Sequence, residues 1–69
     1  MQKWEYTQLQ VGYTSEGFAR LIHRDGKQVY SDKKGMLMTE YLNKLGRDGW
    51  EMINAENNEV FYFKRPIEA

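Results

Sequence analysis

Met36-Leu37-Met38-Thr39-Glu40-Tyr41-Leu42-Asn43-Lys44-Leu45-Gly46-Arg47-Asp48-Gly49-Trp50-Glu51-Met52 is the stretch that decides the fold. Met38, Tyr41, Leu42 and Leu45 recur at i, i+3, i+4 and i+7, which places them on one face of a short helix. Thr39, Glu40, Asn43 and Lys44 fall on the other, solvated side. Gly46 follows the last periodic residue, where a left-handed C-terminal conformation costs glycine least. It is therefore expected just past the helix with positive φ. Asp48-Gly49 turns the chain, and Trp50 opens an alternating apolar run. Gly46, Gly49 and Trp50 are read as structural residues.

Working outward, Lys3 to Val11 reads as a strand, with Trp4 and Tyr6 pointing one way and Thr7, Leu9 and Val11 the other. Gly12 to Gly17 is a polar loop, and Phe18 to Arg24 a second strand. Asp25-Gly26 is the strongest hairpin signal in the chain. A two-residue turn there predicts Arg24 opposite Lys27, His23 opposite Gln28, Ile22 opposite Val29 and Leu21 opposite Tyr30. Ser31 to Gly35 leads into the helix, with Ser31 or Asp32 as N-cap. Trp50 to Ala55 and Val60 to Arg65 form a second hairpin around Asn57-Asn58. Its expected pairs are Glu51–Lys64, Met52–Phe63, Ile53–Tyr62 and Ala55–Val60, and Pro66 stops the last strand. The order is β-β-β-α-β-β: an α+β fold, with a mostly antiparallel five-strand sheet and one helix packed on one face, as a single domain over residues 1–69.

Trp4-Glu5-Tyr6, Leu42-Asn43-Lys44-Leu45-Gly46-Arg47-Asp48-Gly49-Trp50-Glu51 and Tyr62-Phe63-Lys64-Arg65-Pro66 together resemble the small bacterial domain-of-unknown-function family four-one-seven-seven. That pattern opens on W-E-Y, centres on L-N-x-L-G-x-x-G-W-E and closes on a Y-x-F-K-R-like strand. The resemblance spans nearly the whole chain and implies a small α+β domain. It carries no established activity or catalytic residue. The basic Phe18–Tyr30 hairpin is the part least typical of it.

Composition narrows the function classes. Ten basic and ten acidic residues cancel to a formal net charge of zero, which argues against binding nucleic acid through bulk charge. There is no cysteine and one histidine, so no disulfide can form and no conventional zinc site is expected. No apolar run reaches the roughly 18 residues that span a bilayer, and the start lacks a secretory h-region. A bacterial-type cytoplasmic protein is the default expectation.

No catalytic constellation is legible. His23 sits beside a tight turn, and the two serines, Ser15 and Ser31, lie in no nucleophile motif. The carboxylates are scattered without metal-loop spacing. Gly46-Arg47-Asp48-Gly49 follows a helix rather than preceding one, so it lacks the N-terminus that binds phosphate. No enzyme activity, cofactor or metal is expected.

Two binding readings remain. Arg20, Arg24 and Lys27 cluster on the first hairpin in sequence and are candidate nucleic-acid contacts, with Tyr13 and Tyr30 available to stack bases. Self-association has the stronger physical argument. Trp4, Tyr6, Ile22, Val29, Met52, Phe61 and Phe63 can furnish a helix-covered face, whereas Leu9, Val11, Leu21, Tyr30, Ile53, Val60 and Tyr62 have the opposite parity. A sheet apolar on both faces wants a second cover. The expectation is a small non-enzymatic binding module that dimerises through Leu9, Leu21, Ile53 and Tyr62. Its partner or ligand would be a protein or a small molecule at the subunit interface. The alternatives are a nucleic-acid-associated regulator using the basic hairpin, and an inhibitor or ligand-sequestering protein from a phage or mobile element.

Overall fold

The computed structural model describes residues 1–67 and has the expected order: β1 (Trp4–Tyr13), β2 (Ala19–Arg24), β3 (Lys27–Met36), α1 (Met38–Arg47), β4 (Glu51–Glu56) and β5 (Val60–Pro66). The five strands form one antiparallel sheet in the order β3-β2-β1-β5-β4. Both hairpins turn on residues with positive φ, Asp25 (+52°) with Gly26 (+85°) and Asn57 (+51°) with Asn58 (+59°). That backbone matches the right-handed twist of the flanking strands, and aspartate, asparagine and glycine tolerate it best.

The helix packs on the face carrying Leu9, Val11, Ala19, Ile22, Phe61 and Phe63, to which it adds Tyr41 and Leu45. Leu9 and Ile22 are fully buried. This corrects the parity expected from sequence. Trp4, Tyr6 and Val29 are exposed rather than covered, and Leu9 lies beneath the helix rather than on the opposite face. The cause is the register of β1 on β5, which sets Leu9 opposite Phe61 and Thr7 opposite Phe63. Side chains alternate strictly along a strand, so the pairing of two strands distant in sequence decides which set is inside.

Local departures from the expected ladders have the same kind of origin. Arg24 faces Lys27 and His23 faces Gln28, but a bulge at Val29 then puts Ile22 opposite Tyr30 and Leu21 opposite Ser31. In the second hairpin Glu51–Lys64 and Met52–Phe63 hold. A bulge at Ile53 next pairs Asn54 with Tyr62, Ala55 with Phe61 and Glu56 with Val60. Each bulge inserts one residue and shifts everything beyond it by one.

Neither helix boundary follows the sequence expectation. β3 runs on through Met36, so Ser31 and Asp32 cap no helix; Leu37 occupies the N-cap without a side-chain bond. Gly35 (φ +78°) belongs to a wide bulge between the Leu21–Ser31 and Ala19–Met36 pairs. Gly46 lies inside α1 and has no positive φ. The left-handed glycine is Gly49 (φ +91°). Its N–H donates to the Gly46 carbonyl and that of Trp50 to the Leu45 carbonyl, each at 3.0 Å. This is the Schellman arrangement, with Leu45 and Trp50 both in the core behind it.

Candidate functional site

The sheet face opposite the helix is uncovered. Register places Trp4, Tyr6, Gln8 and Gln10 of β1 there, with Tyr62, Lys64 and Val60 of β5 and Leu21 and His23 of β2. Tyr6 is 64% exposed, Ile53 48% and Trp4 39%. Lys64 Nζ lies 4.2 Å from the centroid of the Trp4 ring, so that lysine is spent on an aromatic. The other polar positions on the face mix amides, Gln8, Gln10, Gln28 and Asn54, with His23, Ser31, Glu51 and Glu56.

A cleft of about 340 Å³ opens on this face and is lined by Tyr6, Gln8, Asp25, Ile53, Asn54 and Tyr62, with Thr7 and Phe63 behind. The bulge at Ile53 creates it by turning that side chain to the same side as Tyr6 and Tyr62. Asn54 Oδ1 accepts the Ala55 N–H at 2.9 Å. At the far end the Asp25 carboxylate accepts the Thr7 hydroxyl at 2.8 Å and the Gln8 N–H at 3.0 Å. A shallower hollow beside it is lined by Gln10, Leu21, His23 and Val60.

Arg20, Arg24 and Lys27 are not brought together. Arg20 and Lys27 lie at opposite ends of the β2–β3 hairpin, roughly 13 Å apart along the strands. Arg24 is turned to the helix side, where its Nε donates to Thr7 Oγ1 at 3.1 Å and its guanidinium packs 5.2 Å from the Trp50 centroid. Arg65 packs on the same indole at 4.3 Å, donates to the Asp48 carbonyl at 3.0 Å and pairs with Glu5 at 3.2 Å. Trp50 is therefore the buried post to which two arginines fasten the helix C-terminus. Thr7, buried and polar, closes the chain of bonds from Arg24 to Asp25.

Of the four expected interface residues, Leu21, Ile53 and Tyr62 share the open face and Leu9 does not. The sequence reading missed Asp25 and Asn54 as features of that face, having taken Asp25 only as a turn residue. Asp25 does hold the turn, but its side chain also reaches back to β1. On the helix side, Tyr13 donates its hydroxyl to the Asn58 carbonyl. Burial first, and the Glu59 carboxylate second, push the Tyr13 phenol above its ordinary value of 10.

Comparison with models of known protein families, with curated proteins and with solved structures finds no match. Among the described residues, no helix is long and apolar enough to cross a membrane.

Proposed function

We propose that this chain is a small non-enzymatic binding module that self-associates, face to face, through the open side of its sheet, in a reducing cytoplasmic setting. The observation that carries this reading is the set of large apolar side chains on that face, Trp4, Tyr6 and Ile53 exposed and Leu21 and Tyr62 half-buried, in a domain too small to waste them. Area supports it. Five strands at about 4.8 Å spacing and some seven residues at about 3.3 Å give a flat footprint of about 550 Å². Side-chain relief raises this toward the roughly 800 Å² per partner of a standard interface. The intervening amides can pair with one another across a two-fold axis at little desolvation cost. Zero net charge adds no repulsion between copies.

Light scattering across a range of concentrations tests the proposal. The wild type should show twice the 8.3 kDa chain mass at micromolar concentration. Ile53→Asp, at a half-exposed position, should give one chain mass while still folding. A wild type that stays at one chain mass would end this reading.

A further inference from the structure

We propose that the outer edge of β4 takes up an extended, basic segment of a partner protein as a further strand of the sheet. β4 closes one side of the sheet, and all six of its residues are exposed, Met52 and Ile53 among them. A strand in that position offers unpaired N–H and C=O groups to another chain.

Ladder register shows which groups those are. The Glu56 carbonyl accepts the Glu59 N–H inside the hairpin, so Glu56 bonds inward. Ile53 is the inserted residue of the bulge, so the ladder positions run Glu56, Ala55, Asn54, Met52, Glu51. Backbone groups alternate sides along an antiparallel strand, and Ala55 and Met52 therefore turn their N–H and C=O groups outward. The Ala55 N–H donates to Asn54 Oδ1 at 2.9 Å, where an exposed side chain stands in for the carbonyl of a missing strand.

Charge shows what kind of strand fits. Residues 51–59 hold three glutamates and no basic residue, in a chain of zero net charge. Glu51 and Glu56 stand at the two ends of β4, on the open face of the sheet. Among the described residues the one ion pair is Arg65–Glu5, and Lys64, opposite Glu51, lies over Trp4 instead. The β4 of a second copy is the wrong occupant. Antiparallel pairing about Asn54 sets Glu51 against Glu56 of the second copy, and like charges directly opposite repel. β3 carries Lys27, Lys33 and Lys34, but two bulges break its edge and the Asp32 carboxylate holds the Lys34 N–H at 3.0 Å.

The register fixes the pattern of the partner segment. One basic side chain lies opposite Glu56 and a second, four residues on, opposite Glu51. The second and fourth positions of the segment lie beside Ala55 and Met52, whose ladder partners Phe61 and Phe63 belong to the core, and are apolar. This edge lies outside the open face, so the inference goes beyond self-association and does not depend on it.

The test is an NMR titration of the isotope-labelled full chain with the blocked peptide SKVTVKS, which carries that pattern, with the mass of each sample measured in parallel. Saturable shifts should appear at the Met52 and Ala55 amides. The peptide SEVTVES should bind at least about tenfold more weakly, each exposed ion pair being worth about threefold. SKVTVKS methylated on both valine nitrogens lacks the donors that meet the outward carbonyls of β4 and should not bind. Glu51→Gln combined with Glu56→Gln should weaken SKVTVKS about tenfold without moving the melting temperature, since both residues are exposed. No saturable shift at millimolar SKVTVKS, equal binding of SEVTVES, undiminished binding of the methylated peptide, or shifts confined to the open face would each overturn the proposal. A dimer that ignores SKVTVKS would sink this inference and leave self-association standing; a monomer that binds it at β4 would do the reverse.

Discussion

Replacing Gly35 with alanine tests the account of the β3 bulge. A Cβ built on Gly35 would lie 2.7 Å from the Phe18 Cβ and 3.0 Å from the Ala19 carbonyl oxygen. Its φ of +78° is also a conformation that L side chains resist. The left-handed backbone costs an alanine roughly 1–2 kcal/mol. Forcing a methyl into close-packed surroundings typically costs a further 1–3 kcal/mol. Alanine recovers about 0.4–1 kcal/mol by stiffening the unfolded chain. The net loss is then about 3 kcal/mol, a large share of the stability of roughly 5 kcal/mol expected for so small a domain. Urea unfolding followed by tryptophan fluorescence should show a lower midpoint with an unchanged slope. Gly46→Ala is the control. It sits in the helix with nothing within 4 Å of a built Cβ, and should stabilise by about 0.5–1 kcal/mol. A Gly35→Ala protein as stable as the wild type, or a Gly46→Ala protein destabilised as much as it, would refute the reasoning.

Other outcomes follow from the same structure. Leu9→Ala removes a fully buried side chain and should cost about 2–5 kcal/mol, whereas Tyr6→Ala, more than half exposed, should cost far less in chemical denaturation of dilute protein. Equal losses would mean that the parity of β1 is wrong. Tyr13 has its folded pKa raised above 10, so its contribution is fully present below pH 10 and is lost as pH rises through the folded value. Thermal melts above pH 10 should therefore fall more steeply for the wild type than for Tyr13→Phe, and parallel declines would remove Tyr13 from the account.

Much of the fold is legible in the sequence because its signals are local. Met38, Tyr41, Leu42 and Leu45 fix the helix, and Asp25-Gly26 and Asn57-Asn58 fix the two hairpins. The first pairs on either side of Asp25-Gly26 follow directly from the turn. What failed depends on contacts that no local pattern encodes. The pairing of β1 with β5 joins residues fifty or more positions apart, and it alone decides that Leu9 goes under the helix while Tyr6 does not. The bulges at Val29 and Ile53 leave no composition signal, yet the second of them shapes the open cleft. Gly35 is the readable exception: a glycine within an extended run signals a bulge, and proximity to the helix disguises it as part of the lead-in to α1. The sequence marks the Asp48-Gly49-Trp50 exit as a turn, but a left-handed cap at Gly46 stands three residues before Gly49, which takes that conformation.

The central claim is that the uncovered sheet face is where two copies meet, and intermolecular NOEs in a mixture of isotope-labelled and unlabelled protein test it most directly. The account predicts cross-peaks between copies from Leu21, Ile53, Tyr6 and Tyr62, and none from Tyr41 or Leu45 beneath the helix. A sample with no intermolecular cross-peaks at micromolar or higher concentration, or with cross-peaks confined to the helix side, would contradict it.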